Sequence, residues 1–203
     1  MNEFAGRNPK QPEDEQEPTV AGQPLVLSMK NRIGSGAFSV VVRHPDDGTV
    51  YKLFREREEN DLLNDNLGDH EPALRRKAFE SEVAAYGIAM NNDAVRSLVP
   101  TFHGKVVVDH VLDVYDGDIS NLFLLECCYV IDFVEGAAVK FTQELASKHA
   151  HLHAATEELN AIGIRYWHDG SVFHPANPEL TKIIDFALDD EYGKGIVTIA
   201  CAD

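Results

Sequence analysis

Cysteine is scarce in this chain, and its few cysteines are not spaced as metal ligands. Cys127 and Cys128 are adjacent within an apolar run, and the third cysteine is Cys201. Three cysteines cannot all pair with one another, and this usage fits a reducing compartment. We therefore expect Cys127 and Cys128 to be small buried hydrophobic residues.

Long hydrophobic runs are also absent. The longest run, residues 122–134, is interrupted by Glu126 and Asp132 and is too short to span a bilayer. Residues 1–17 lack the apolar segment of a secretory signal peptide. The sequence therefore predicts no transmembrane helix and no signal peptide, which leaves other export routes open.

Positive charge is in short supply as well. The chain has 18 Lys and Arg residues against 34 Asp and Glu residues, so its net charge is −16 at pH 7. A surface of that sign repels nucleic acids and anionic membranes. We expect protein or small-molecule partners, no nucleic-acid or membrane partner, and a monomer.

The first 23 residues have few apolar side chains and are rich in Pro, Glu, Gln, Asp and Asn. Such a segment cannot bury enough apolar surface to offset the entropy of ordering, so residues 1–23 are predicted to be a disordered tail. Residues 24–28 then begin a strand that leads onward into a hairpin. The chain of 203 residues is long enough for one domain with a core, or for two small lobes that share a cleft.

A pair of glycines stands at the start of the predicted hairpin. Residues 33–42 and 50–54 are rich in β-branched side chains and are joined by turn-forming residues. At Gly34 and Gly36 the missing side chains let main-chain N–H groups approach a phosphate, and Lys52 supplies a fixed positive charge. The pattern predicts a lid over a nucleoside triphosphate, and the alternative is an ordinary tight turn.

Further elements follow the hairpin. A helix with proline at its start is predicted over residues 72–86, where apolar side chains recur at helical spacing. Residues 98–104 are predicted to form the turn into a third strand that continues over residues 105–108, and residues 122–131 have strand-like composition. Residues 141–161 form a second predicted helix, and Gly163 would end it as a C-terminal cap.

Three histidines on the second predicted helix suggest a metal site. His149 and His153 would share a helical face at four-residue spacing, and His151 lies between them in the sequence. No further ligand accompanies them at an obvious spacing. We therefore favour histidines on a solvated helix over a metal site.

Two aspartates follow the second predicted helix, one in a histidine-aspartate pair and one at the end of an aliphatic stretch. His168 and Asp169 come first, and the aliphatic residues 182–184 then lead into Asp185 and Phe186. Phosphoryl transfer needs one carboxylate to orient the acceptor hydroxyl and another to hold Mg²⁺ on the phosphates. Asp169 and Asp185 are the candidates for these two roles.

The glycine loop that opens into a strand, the lysine on the return strand and this order of acidic residues together resemble the protein-kinase fold. The resemblance implies an α+β protein with two lobes. Residues 24–134 would be an N-lobe with an antiparallel sheet and one helix, and residues 135–203 a strongly reduced, mainly helical C-lobe. The helix would carry Glu82, with Glu80 in reserve, as the partner that holds Lys52 against the phosphates.

By the same resemblance, the nucleotide is held by the glycine loop, the lysine with its partner, and a hinge segment whose main chain contacts adenine. The residues implied are Gly34, Ser35, Gly36, Phe38, Ser39, Val41, Lys52, Glu82, Asp132 and Val134. The chain departs from the family pattern where Ser39 replaces the third glycine of the loop. It also departs at Ala187, where the family has glycine after its Asp-Phe pair.

The segment that would carry the catalytic base, residues 168–177, departs further from the kinase family pattern. Asp169 lies one residue later than the family pattern places it, and the asparagine expected five residues beyond is His174. Asn177 resembles the asparagine of bacterial small-molecule kinases, but that alignment puts Val172 at the catalytic position. We prefer Asp169 as the base, with Asn177 or His174 as a second metal ligand beside Asp185.

The resemblance implies an ATP- and Mg²⁺-dependent protein Ser/Thr kinase in which Lys52 and Asp169 are catalytic. The short second half is similar to that of the minimal kinases that bacterial pathogens inject through type III secretion, most of all the HopBF family, which phosphorylates the host HSP ninety chaperone. We therefore expect a constitutively active, secreted virulence effector that acts on a host protein. The alternatives are a small-molecule kinase of the aminoglycoside or choline type and a nucleotide-binding pseudokinase.

Overall fold

The computed structural model describes residues 24–45, 48–56, 71–164 and 170–188. Several sequence predictions lie outside the described residues: the disordered tail of residues 1–23, the His168-Asp169 pair and Cys201.

The described residues contain three α-helices and ten β-strands, which makes an α+β fold. The helices are α1 (Glu71–Met90), α2 (Gln143–Lys148) and α3 (Ala150–Ala161). The strands are β1 (Val26–Ser28), β2 (Arg32–Ser35), β3 (Ser39–Arg43), β4 (Thr49–Arg55), β5 (Phe102–Val106), β6 (His110–Leu112), β7 (Phe123–Asp132), β8 (Ala138–Lys140), β9 (Ser171–Phe173) and β10 (Lys182–Ile184).

Five strands form the main sheet in the order β2-β3-β4-β7-β5, and all neighbouring pairs are antiparallel. The predicted hairpin is present as β3 and β4. The strand-like residues 122–131 belong to one long strand, β7, which lies between β4 and β5. In this register Lys52 lies opposite Val41 on one side and opposite Tyr129 on the other.

The central strands of the main sheet, β3, β4 and β7, are buried on both faces. Along β4, Val50 and Phe54 point to the core that contains α1, whereas Tyr51 and Leu53 point to a second core on the other face. This alternation follows from the two-residue period of a strand. On β7, likewise, Cys127 and Cys128 face opposite cores, and both are buried and free, which confirms that prediction for these two cysteines.

A small parallel pair, β1 with β6, covers the outer face of the main sheet. Leu27 and Val111 from this pair are almost fully buried there. The prediction that residues 24–28 are the first part of a strand that leads into the hairpin is therefore wrong, because β1 is a separate strand. The Ser28 side chain accepts a hydrogen bond from the N–H of Lys30 and caps a short 3-10 helix, which separates β1 from β2.

Helix α1 packs on the inner face of the main sheet. It begins one residue before Pro72 and continues beyond Tyr86 to Met90, so the predicted helix is confirmed and is longer than expected. Proline in the first turn removes no intrahelical hydrogen bond. Ala78, Phe79 and Tyr86 are buried against the sheet, as their spacing predicts.

The single helix predicted over residues 141–161 is two helices, because the chain turns at His149. His149 has an extended backbone that both ends α2 and begins α3. Ala146 and Leu152 are both buried, but on one continuous helix they would lie about 120° apart around the axis. The turn lets both reach the same core.

Gly163 ends α3 as predicted. Its φ is +86°, its N–H bonds to the carbonyl of Asn160 at 3.1 Å, and the next N–H, of Ile164, bonds to the carbonyl of Leu159 at 2.9 Å. These two bonds form a Schellman motif, which satisfies carbonyls that the helix end leaves open.

A second antiparallel sheet has the order β10-β9-β8. Val172 in β9 lies opposite Ile183 in β10, and both side chains are fully buried. The pairing brings the residue after β10, Asp185, to the inner face of the main sheet. In the part of the chain that the structure describes, no helix is both long enough and apolar enough to cross a membrane.

Candidate functional site

Lys52 is the centre of the site. Its Nζ donates to Oε2 of Glu82 at 2.7 Å and to Oδ1 of Asp185 at 2.8 Å. The lysine comes from the middle of the main sheet, Glu82 from α1, and Asp185 from the segment after β10. The structure therefore brings together the three charged residues that the sequence predicts, and it selects Glu82 over Glu80, which is exposed.

The lysine is held as a cation. Its side chain is only 10% exposed. Burial alone would lower the pKa of Lys52, but the carboxylates of Asp185 and Glu82 outweigh it and raise the pKa above the ordinary lysine value. An ammonium group has three N–H donors. Two are used here, and no described side chain or carbonyl bonds to the third.

Tyr129 completes the surroundings of Glu82, and sequence reasoning missed it. Its hydroxyl donates to Oε2 of Glu82 at 2.7 Å. Burial raises the pKa of Tyr129 well above the ordinary value, so the phenol stays a donor. The only sequence signal is the strand register that sets Tyr129 opposite Lys52, and register is not visible before the sheet is known.

Asp185 has an unusual backbone and an open carboxylate. Its φ is +59°, a left-handed value that is uncommon outside glycine and often marks functional sites. Its side chain is 42% exposed, and no described residue bonds to its second oxygen. The next residue, Phe186, is buried with its ring 4.5 Å from that of Tyr86, which anchors the segment.

The glycine loop lies at the edge of the main sheet, between β2 and β3. The N–H of Gly36 donates to the carbonyl of Ser39 at 2.9 Å, so this amide is already used. A side chain built at Gly36 would meet nothing within 4 Å, whereas one at Gly34 would come within 3.5 Å of Val41. Open space therefore lies beside the loop at Gly36.

Two arginines beneath the loop were not predicted. Arg75 of α1 is fully buried, donates to the carbonyl of Ala37 at 2.7 Å, and lies 5.0 Å from the ring of Phe38. Arg55 at the end of β4 donates to Oγ of Ser35 at 2.8 Å. The loop is thus tied to the helix that carries Glu82 and to the strand that carries the lysine.

The predicted hinge residues end β7 and follow it. The N–H of Asp132 donates to the carbonyl of Thr101 at 3.0 Å, and its carboxylate lies 2.7 Å from Nε2 of His103. The N–H of Phe133 donates to the carbonyl of Gly48 at 2.8 Å. Val134 makes no main-chain hydrogen bond to any described residue, so its polar groups are available to a ligand.

The two candidates for a second metal ligand are engaged elsewhere. His174 donates through Nε2 to the carbonyl of Glu135 at 2.7 Å, and Oδ1 of Asn177 accepts from the N–H of Glu179 at 3.1 Å. Neither side chain hydrogen-bonds to Asp185. Asp169, the predicted base, lies outside the described residues.

The histidines that suggested a metal site have protein partners in the structure. Nε2 of His151 lies 3.2 Å from the hydroxyl of Thr181, and Nε2 of His153 lies 3.8 Å from Oε1 of Glu157. Within the described ranges, no three His, Cys, Asp or Glu side chains are grouped so that they could hold a metal ion.

No family model, curated protein or solved structure matches this chain. Function is therefore inferred from the chemistry of the residues that meet at Lys52. A buried ammonium with an unused donor, beside a carboxylate with an unused oxygen, is suited to bind a polyphosphate together with a divalent cation.

Proposed function

We propose that this protein binds ATP with Mg²⁺ and transfers the γ-phosphate to a serine or threonine hydroxyl of a protein. In this proposal the main sheet and α1 form one lobe of a protein-kinase-like fold, and the elements after β7 form the other. The observation that carries the proposal is the position of Lys52 Nζ, between Glu82 at 2.7 Å and Asp185 at 2.8 Å.

Each of these residues has a physical role in phosphoryl transfer. Lys52 would neutralise phosphate charge with the N–H donor that has no partner among the described residues. Glu82 would hold the flexible Lys52 side chain in position. Asp185 would hold the divalent cation through its open oxygen. Bound there, Mg²⁺ would supply positive charge that offsets the negative charge developing on the phosphates.

The described residues fit this cofactor. Mg²⁺ is commonly held by one or two carboxylates together with substrate phosphates and water, so a complete protein cage is not required. A Cβ built at Gly36 meets nothing within 4 Å, so a ligand that approaches the loop there would displace no described side chain. Val134, with no described main-chain partner, would offer its peptide groups to the adenine edge.

The acceptor side of the proposal extends the family resemblance. Asp169 is proposed as the base that orients the acceptor hydroxyl. The acceptor is proposed to be a eukaryotic host protein, with a chaperone of the HSP ninety type as first candidate, reached by type III secretion. A small-molecule kinase and a nucleotide-binding pseudokinase are the competing outcomes of the tests that follow.

The first prediction concerns Asp185→Asn in a transfer assay with radiolabelled ATP, Mg²⁺ and eukaryotic lysate. The wild-type protein should label a protein band, and the variant should lose this activity by about 100-fold or more, because the cation loses its charged ligand. Asparagine keeps the shape of the side chain and tolerates a left-handed backbone.

Asp116→Asn is the matched control. Asp116 also has a positive φ, +67°, and is also paired with a lysine, Lys30 at 2.7 Å, but the pair is on the surface. This control should keep full activity. Wild-type activity in Asp185→Asn would overturn the assignment. Labelling of small alcohols alone would favour the small-molecule kinase, and thermal stabilisation by ATP without transfer would favour the pseudokinase.

A further inference from the structure

Oε2 of Glu82 accepts two hydrogen bonds from neighbouring strands of the main sheet. Lys52 Nζ on β4 and the Tyr129 hydroxyl on β7 both lie 2.7 Å from this oxygen. The two donors are cross-strand partners in the register of the sheet. One carboxylate oxygen of α1 is therefore fixed by two adjacent strands.

The two donors differ in how firmly they are held. Lys52 has a flexible four-carbon stem and divides its donors between Glu82 and Asp185. Tyr129 is fully buried, and its ring packs against those of Phe79, Tyr86 and Phe102 at centroid distances of 6.5, 5.5 and 6.0 Å. The phenol therefore stays in place if the lysine turns toward a ligand.

We propose that Tyr129 is a positioning residue. Its hydroxyl holds Glu82, and with it α1, in the position in which Glu82 orients the Lys52 side chain. This inference rests on the proposed function. Lys52 must make new contacts when a phosphate chain binds, and at that moment Glu82 loses part of its bond to the lysine. The Tyr129 hydroxyl keeps the carboxylate hydrogen-bonded throughout, so the helix needs no ligand to hold its position.

Tyr129→Phe removes only this hydroxyl, and Tyr86→Phe is its matched control. Tyr86 is also fully buried and packs on Tyr129, but its hydroxyl has no hydrogen-bond partner of acceptable geometry among the described residues. We expect Tyr129→Phe to lower kcat/KM for ATP by about tenfold, because a hydrogen bond to a charged group is lost. Tyr86→Phe should stay within about twofold of wild type.

A double-mutant cycle separates positioning from general loosening of the core. In a Glu82→Met background, which has no acceptor oxygen, Tyr129→Phe should change kcat/KM by less than about twofold, because its effect passes through the Glu82 carboxylate. An undiminished tenfold effect in that background would overturn the inference, and so would equal effects of Tyr129→Phe and Tyr86→Phe in the wild-type background.

A second readout does not depend on activity. Pulsed acylation with an amine-reactive ester, followed by mass spectrometry, should label Lys52 several-fold faster in Tyr129→Phe than in wild type or Tyr86→Phe, with Lys30 unchanged. That result without any phosphate transfer by the wild-type protein would refute the proposed function and keep the positioning role. Phosphate transfer by the wild type, with equal labelling of Lys52 in all three proteins, would support the proposed function and refute the positioning role of Tyr129.

Discussion

At the scale of single residues, the site is a buried cation with more than one acceptor. Lys52 bonds to Glu82 and Asp185, and Tyr129 supports the first of these. A buried charge is tolerated when it is paired and hydrogen-bonded, and removing one partner leaves the other uncompensated. The stability of the protein should therefore depend on Lys52 in a way that changes with pH.

Lys52→Met should lower the free energy of unfolding by about 2 kcal/mol at pH 7.5. This is less than for a fully buried ion pair, because solvent screens the partly exposed Asp185. Burial raises the pKa of Glu82, and the lysine that opposes this is absent from the variant. A carboxyl group with a raised pKa in the folded state costs stability above that pKa and regains it as the pH falls. The loss should therefore be smaller at pH 5.5, as measured by urea unfolding.

Lys182→Met is the control for this comparison. Lys182 donates to the carbonyls of Ser97 and Val99, which do not titrate. Its replacement should cost a similar amount at both pH values. A loss in Lys52→Met that does not change between pH 7.5 and pH 5.5 would contradict the assignment of an unpaired buried Glu82.

At the scale of elements, the site depends on how short segments are joined. Gly136 follows β7, and His174 follows β9. The His174 ring bonds to the carbonyl of Glu135, and a side chain at Gly136 would come within 2.9 Å of that ring. The segment after β7 and the loop after β9 are therefore fitted closely to each other.

Gly136→Ala should destabilise the protein more than Gly104→Ala. The two glycines have nearly equal φ values, +108° and +105°, so the backbone strain is matched at about 1 to 2 kcal/mol. Nothing lies within 4 Å of a side chain built at Gly104. The contact with His174 should add about 1 kcal/mol or more at Gly136, measured by thermal and urea unfolding.

Removing the ring tests the cause of that excess. In a His174→Ala background, Gly136→Ala should cost no more than Gly104→Ala, because the side chain that it meets is gone. An excess that persists in this background would show that the strain at Gly136 lies in the backbone alone.

At the scale of the whole molecule, the main sheet separates two cores. The candidate site lies on the inner face, with α1 and the elements after β7, whereas β1 and β6 cover the outer face. Stability and site geometry should therefore respond differently to changes in the outer core.

Leu27→Ala should lower the free energy of unfolding by about 2 to 4 kcal/mol, because a leucine that is only 3% exposed leaves a cavity. Val26→Ala, on the same strand but 44% exposed, should change it by less than about 0.5 kcal/mol. Under the proposed function, Leu27→Ala should keep the wild-type affinity for Mg²⁺ and ATP in a titration below its melting temperature. A large loss of affinity would show that the outer core shapes the site.

Local pattern was enough to predict the hairpin, α1, the cap at Gly163 and the two buried cysteines, because each depends on neighbours in sequence. The outer β1 and β6 pair was missed because parallel pairing joins distant segments and leaves no short motif. Tyr129 and Arg75 were missed for a related reason. Each acts on a residue of another element, and only register and helix rotation reveal which one.

The Lys52 and Asp185 ion pair joins residues that are 133 positions apart. Closing so long a loop costs chain entropy before any contact compensates for it, and such non-local contacts slow folding. The charge cluster therefore requires β4, which carries Lys52, and β10, which precedes Asp185, to be docked together. A fragment that lacks either strand cannot reproduce the cluster.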